Sequence, residues 1–362
     1  MRRNPPDLVL LLAIIALLAI GLIMVASASA PESLNITKGA SVFHFGLRQL
    51  VHGIIGLVLL FIAMKTPYQN LKKFTVPIAL ITLGLLVAVL FLGDAVKGSR
   101  RWIDLGFFPV QPSELAKITV IIVLAHYLSE IKKGVTNLMV GVVLPLVFVC
   151  IICLLILLEP DLGTSMVIFG TLMIMMFAAG ARMLHLGWVT LMGLAAGTVL
   201  VISEPYRAKR LVAFVDPWKD PQGDGWQIIQ SLYALGSGGP FGLGLGMGRQ
   251  KFDYLPEAHT DYIFSILGEE LGLLGTVLVL TCFFILAWRG FKAALSAPDT
   301  FGRLLATGIT SSIVLQAFLN IGVVTSSIPV TGITLPFLSY GGSSLIISLL
   351  SVGILLNISK KC

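Results

Sequence analysis

Ten stretches of about 20 predominantly apolar residues recur along this chain and decide its fold class. They lie at roughly 8–26, 46–64, 74–93, 113–130, 139–158, 162–180, 185–203, 262–288, 304–325 and 335–357. Each is long enough to cross a bilayer as a helix, the form in which every backbone group pairs within its own segment. Only 12% of the residues are charged, about half the share in a soluble domain, so a water-soluble globule is excluded. The 56% hydrophobic content excludes a disordered chain. The pattern predicts an all-α polytopic membrane protein, one transmembrane domain over 1–362 with about ten transmembrane helices.

The start of the chain imitates a secretory signal: Met1, Arg2 and Arg3, an apolar run, then alternating alanine and serine over 26–30. The run exceeds a typical signal core of about 7–15 residues, so a retained first helix is expected. With the N-terminus inside, 13 of the 25 basic residues fall in cytoplasmic segments and five in short outer loops. That asymmetry sets both termini in the cytoplasm. The formal charge of +7 therefore reports orientation, and no nucleic-acid partner is expected. Cys150, Cys153 and Cys282 sit inside apolar runs and read as small packing residues.

The outer side carries two unusual stretches, 94–112 and a large extracytoplasmic loop of about 204–261 between helices 7 and 8. A connection that long is usually functional or a linker, and its aromatic and apolar residues argue against a linker. The segment Arg207 to Phe214 reads as a basic amphipathic piece on the membrane surface, and Trp226 to Leu235 as another short helix. Seven glycines fall in the thirteen positions 236–248. Their spacing is not that of a dinucleotide fingerprint or a P-loop. A hinge is one reading; a backbone surface that meets a substrate or folds back into the membrane is the other.

Ionisable residues within spans are costly, roughly 2.5–3.5 kcal/mol each on insertion scales, and so point to function or to a specific partner. Glu114 and Lys117 lie three apart on one helix face, either as a self-satisfied ion pair or as part of a polar site. Glu159, Pro160 and Asp161 form a tight outer turn, and Asp261 follows His259 and Thr260 at the head of the eighth span. Glu269 and Glu270 lie two turns deeper; for Glu270 a structural partner on another helix is the simpler reading, and catalysis the other. Gln316 and Asn320 share a face of the ninth span, reading as close packing or as the lining of a lipid-sugar cavity. The carboxylates face a basic rim of Lys97, Arg100, Arg101, Arg207, Lys209 and Arg210. Carboxylates abstract protons or hold a divalent cation, Mg2+ or Mn2+, while arginines and lysines bind phosphate. An anionic lipid headgroup handled at the outer surface is the expectation, with no organic cofactor. No zinc pattern or Ser/His/Asp arrangement is visible.

The motifs carry the reading further. Lys97 to Ile103 (KGSRRWI), Gln111 to Glu114 (QPSE), Glu159 to Gly163 (EPDLG), Tyr254 to Phe264 (YLPEAHTDYIF), Gly268 to Gly272 (GEELG) and Pro336 to Ser344 (PFLSYGGSS) together resemble the SEDS family (shape, elongation, division and sporulation). Glu204 to Arg207 and Asp216 to Pro221 bring the chain nearer the division and sporulation branch, FtsW and SpoVE, than the elongation branch, RodA. Tyr262 stands where the family commonly has Phe.

This resemblance implies a peptidoglycan glycosyltransferase of the bacterial cytoplasmic membrane. Its substrate would be lipid II (undecaprenyl-diphosphate disaccharide-pentapeptide), polymerised into β-1,4 glycan at the outer leaflet for division or sporulation. The implied partners are a class B penicillin-binding protein as transpeptidase and other division proteins. Asp261 matches the family's essential acidic residue; Glu114, Lys117 and Asp161 match polar cavity residues; Arg100, Arg101 and Trp102 fall in its outer-loop motif. Asp261 is expected as general base, with Glu114, Lys117 and Asp161 supporting catalysis. A divalent cation is expected near Glu114 or Asp161. Lys97, Arg100, Arg101, Trp102, Arg207, Arg210, His259 and Ser343 are the expected substrate contacts. A lipid II flippase and a non-catalytic division scaffold are the rival readings; no internal repeat of the transporter kind is visible.

Overall fold

The structure is a computed structural model and describes residues 5–96, 99–104, 106 and 109–361. Lys97, one of the expected substrate contacts, lies outside the described residues. The helices are α1 (Leu8–Ala28), α2 (Ala30–Ile36), α3 (His44–Lys65), α4 (Leu71–Leu92), α5 (Pro112–Glu130) and α6 (Leu144–Leu158), the last preceded by a π-helical turn at Met139–Val143. They continue with α7 (Leu162–Ala179), α8 (Met183–Ile202), α9 (Pro205–Val215), α10 (Trp226–Ser237), α11 (Ile263–Ser296), α12 (Thr300–Val324) and α13 (Gly342–Ser359). Among the described residues, nine helical spans are long and apolar enough to cross a membrane. The remaining expected crossing is α5, whose Glu114 and Lys117 make it the most polar of the ten; it packs on α4, α7 and α12.

Local chemistry explains where several helices begin. Asp7, Asp161 and Asp299 each accept a backbone N–H from the first turn of α1, α7 and α12, satisfying donors that a helix start leaves open. Gly180 closes α7 in the left-handed conformation that glycine adopts without strain. α12 and α13 are buried over most of their length and form the middle of the bundle, with α3 laid along α13. α4 and α8 instead turn Phe91, Leu92, Leu191 and Met192 outward, the pattern of lipid-facing helices.

The end of the bundle that the charge pattern assigns to the outer side carries the irregular structure. β1 (Asp94–Val96), β2 (Ser99–Asp104) and β3 (Pro109–Val110) make a small antiparallel sheet in the order β1-β2-β3, with Ala95 opposite Arg100 and Ile103 opposite Val110. The tenth span was expected from residue 335, but α13 begins only at Gly342. Pro336 lacks an N–H and biases Leu335 away from helix, so 325–341 runs as an irregular segment. It folds back on α12: Gln316 donates to the Thr334 carbonyl at 2.9 Å and Asn320 to the Ile333 carbonyl at 2.7 Å. Gln316 lies eight residues inside the end of α12, so the segment dips roughly 12 Å into the bundle. At the opposite end, Arg289 pairs with Asp7 at 2.6 Å and Tyr68 donates to Asp299.

Candidate active site

Asp261 stands just before α11, at the outer end, half-buried between the large loop and the 325–341 segment. Its placement rests on four bonds around it. Asn320 donates to the Asp261 carbonyl at 2.7 Å, and the Ser339 hydroxyl donates to the Thr260 carbonyl at 2.5 Å. Tyr340 N–H donates to the His259 carbonyl at 2.9 Å, and Tyr262 N–H to the Glu257 carbonyl at 3.2 Å. Gly332, at φ 72°, lies beside the carboxylate: a Cβ there would sit 3.7 Å from Asp261 Oδ2. The left-handed backbone at Gly332, which glycine adopts without strain, carries the re-entrant segment past the carboxylate.

Burial pushes the Asp261 carboxyl up to about 7, with the Glu257 carboxylate raising it further and Arg210 and Arg101 pulling it down. Asp161 adds a weaker upward push. Four residues from four separate places in the sequence therefore act on one carboxyl group. Arg101 is oriented from β2 by two bonds to the turn after α6: Nε to the Glu159 carbonyl at 2.9 Å and Nη2 to the Pro160 carbonyl at 2.6 Å. Arg210 projects from α9 and lies against the Tyr206 ring at 5.9 Å. Burial also pushes Glu159 up to about 8, with Asp161 raising it and Arg101 lowering it.

The other expected residues take different places. Glu114 and Lys117 form the intrahelical ion pair at 2.8 Å, and Lys117 passes a second bond to Gln316, which holds Thr334. A hydrogen-bonded chain thus runs from α5 through α12 to the re-entrant segment. Asp161 spends both carboxylate oxygens on Thr164, one on its N–H at 2.9 Å and one on its hydroxyl at 2.8 Å. His259 is buried between Phe45 and Tyr340, with Glu32 3.3 Å from Nδ1, and so ties the loop to α2 and α3. Arg207 turns to the Tyr206 hydroxyl and the Leu200 carbonyl at 2.8 and 3.1 Å. Ser343 staples β3 to α13, accepting from Gln111 N–H and donating to the Pro109 carbonyl, both at 3.1 Å. Trp102 is half-buried in β2 opposite Asp94, and Arg100 is exposed.

As arranged, these residues do not fit a divalent cation at Glu114 or Asp161. One carboxylate is occupied by an ammonium and the other by a helix cap, and no group of three His, Cys, Asp or Glu converges among the described residues. Glu269 and Glu270 also have partners. Glu269 accepts from Arg249 and Gln250 N–H, while Glu270 meets Lys251 at 2.7 Å and the Ser27 hydroxyl of α1. The partner of Glu270 is therefore the outer loop as well as another helix.

Residues 8–362 match the cell cycle protein family of FtsW, RodA and SpoVE. The chain belongs to this family. It is 49% identical over 361 residues to stage V sporulation protein E of Bacillus subtilis, covering 99% of this chain and 98% of that protein. It is 45% identical over 356 residues to a probable peptidoglycan glycosyltransferase FtsW of Trichlorobacter lovleyi, covering 98% and 93%. Among solved structures, it matches a chain of a peptidoglycan synthase complex that coordinates polymerization and crosslinking, at a TM-score of 0.79 and 31% identity over 98% of this chain and 97% of that one. The rod shape determining protein RodA of Thermus thermophilus matches at a TM-score of 0.72 and 30% identity, over 98% and 96%. The FtsW/RodA/SpoVE assignment agrees with the multi-pass helical fold and with the expected resemblance.

Within this family member, Glu257 and Lys251 escaped sequence reasoning. Glu257 lies four residues before Asp261, a spacing that is informative only once both are known to face one site. Lys251 is 19 residues from its partner Glu270, and no local period links them.

Proposed function

We propose that this chain polymerises lipid II into β-1,4 glycan at the outer face of the bacterial cytoplasmic membrane, working with a class B penicillin-binding protein as transpeptidase. The observation that carries the reading is Asp261: a half-buried carboxyl pushed up to about 7, with Arg101 and Arg210 acting on it from two separate outer elements. A base is most effective when its pKa lies near the working pH, and arginines suit a diphosphate leaving group. The relatives named for peptidoglycan glycosyl transfer support the substrate class.

The reaction needs one inverting displacement. The acceptor 4-hydroxyl attacks the anomeric carbon of an α-linked sugar diphosphate. The glycosidic C–O bond forms with β configuration as the bond to the diphosphate breaks. Asp261 takes the hydroxyl proton, and the departing diphosphate carries its electron pair away against Arg101 and Arg210. Arg101 is held by the Glu159 and Pro160 carbonyls, so its charge is positioned before substrate arrives. General-base assistance accounts for roughly 100- to 10,000-fold of the rate.

The test is reconstitution with the partner and labelled lipid II. Glycan ladders from the native chain, lost in Asp261→Asn at equal abundance, are the expected result. Ladders that persist in the variant overturn the role of Asp261. Leaflet exchange of lipid II without ladders makes the chain a flippase, and neither outcome leaves a scaffold.

A further inference from the structure

The glycine-rich run at 236–248 takes no part in the chemistry above, yet it is tightly built. α10 descends alongside α11, with Ser231 against Ser265 at 2.7 Å and Gly238 against the Gly268 carbonyl. α11 breaks at Gly272, which has φ 66° and ψ −162°. The run fills that break. Leu243 and Gly244 N–H donate to the Glu269 and Glu270 carbonyls at 3.0 and 3.1 Å, and Leu273 and Leu274 N–H donate to the Gly239 and Pro240 carbonyls at 2.9 and 3.2 Å. Glycine is required at the crossing, because a Cβ on Gly242 or Gly272 would strike the other strand's backbone. The carboxylates of Glu269 and Glu270 take the N–H groups of Arg249 and Gly246, and Lys251 donates to the Gly246 carbonyl.

The N–H groups of Gly242, Leu243, Gly244, Gly246 and Met247 are thus spent within the protein, and apolar side chains are turned out. Phe241 is 77% exposed and Met247 70%, with Leu243 and Leu245 beside them. The same face continues down α11 through Leu273, Leu274 and Val277, which are exposed on a membrane-crossing helix. Depth follows from α1. Ser27 contacts Glu270 and Lys251, while Asp7 marks the inner boundary through its pair with Arg289. Ser27 lies twenty residues after Asp7 along α1, a rise of about 30 Å, the thickness of the hydrocarbon core. The crossing therefore sits at the outer edge of the acyl region, where its four cross-segment bonds pair backbone that lipid would leave unsatisfied.

We propose that Phe241, Leu243, Leu245 and Met247 form an apolar loop inserted among the acyl chains of the outer leaflet, a lipid contact that anchors the large loop in the bilayer. Lys251 joins this anchor to the stretch that leads ten residues later to Asp261. The anchor holds the loop at a set height above the lipid.

The test uses the full chain in liposomes with its native cysteines replaced by alanine. An environment-sensitive fluorophore is placed on Phe241→Cys or, separately, Met247→Cys, with Asp224→Cys in an exposed polar turn as the aqueous reference. Blue-shifted emission at 241 and 247, quenched by shallow doxyl phospholipid and indifferent to iodide, is the expected result. Quenching by iodide equal to that at 224 overturns the proposal. Protection from both quenchers also overturns it and assigns the face to a protein partner or a second copy. Two independent positions keep the measurement decisive if one variant misfolds.

Discussion

Asn320 holds Asp261 by its backbone. Its amide donates at 2.7 Å to the carbonyl of Asp261 and, with the same nitrogen, at 2.7 Å to the carbonyl of Ile333. One buried side chain on α12 therefore joins the head of α11 to the re-entrant segment, from a point behind the carboxylate. Asn320 touches no reacting atom in the proposed reaction; it sets where the base stands.

Asn320→Ala is expected to lower polymerisation by about 100-fold, the scale of a base displaced by roughly 1 Å. The buried Ile333 carbonyl and the half-buried Asp261 carbonyl lose their donor, a cost of about 1–3 kcal/mol for the buried one. Single-turnover rates measured beside lipid II affinity check this: the rate falls while the affinity stays near native. Equal loss of both would assign Asn320 to substrate binding.

Asp261 also predicts the pH dependence. Its carboxyl lies near 7 and acts as a base only when ionised, so the rate climbs as pH rises from 6 to 8 and levels above that. Arg210→Gln removes a cation that lowers this value, so its profile is expected to shift to higher pH. A rate that falls over the same interval would assign Asp261 the opposite role, as acid.

The raised carboxyls act on stability with a definite sign. Asp261, near 7, and Glu159, near 8, bind their protons more tightly folded than unfolded. Their contribution is complete below about pH 4, near the unfolded carboxyl values, and is lost as pH rises through 7 and 8. Thermal melts in detergent are expected to fall in Tm between pH 6.5 and 8.5, and Glu159→Gln to flatten that slope.

Lys251 and Glu270 form an ion pair with both side chains almost fully buried. Lys251→Met leaves a buried carboxylate unpaired, and a loss of about 3–5 kcal/mol is expected. Adding Glu270→Gln to Lys251→Met restores part of that loss. Gly272→Ala, which meets the Gly242 backbone and forces an L side chain to positive φ, is expected to destabilise the same region with no electrostatic change. Melting temperatures of the three variants separate charge from fit.

Much of the fold was legible as period and punctuation. Apolar runs of membrane-spanning length locate the helices because no other structure hides its backbone in lipid, and α1 and α7 begin within a residue of expectation after capping aspartates. The Arg207 to Phe214 and Trp226 to Leu235 segments are helical as expected, the first with the amphipathic spacing that marks it in the sequence. The start of α13 was less legible, because 335–341 is as apolar as a helix and only Pro336 marks the difference.

Composition and patterning by themselves determined a multi-pass helical protein with its carboxylates and a basic rim gathered at one end, since both follow from the cost of charge in lipid and from the order of spans. Motifs added the family. Only the tertiary structure decided which of those polar residues meet. Arg101, Arg210, Glu257 and Asp161 act on Asp261, whereas His259, Ser343 and Arg207 are spent on holding loops to helices. The physical reason is that a side chain's task is set by its nearest polar neighbours, and here those come from segments up to hundreds of residues away. Re-entrant backbone at 325–341 and 236–248 supplies many of them, and no local period announces a chain that turns back on itself.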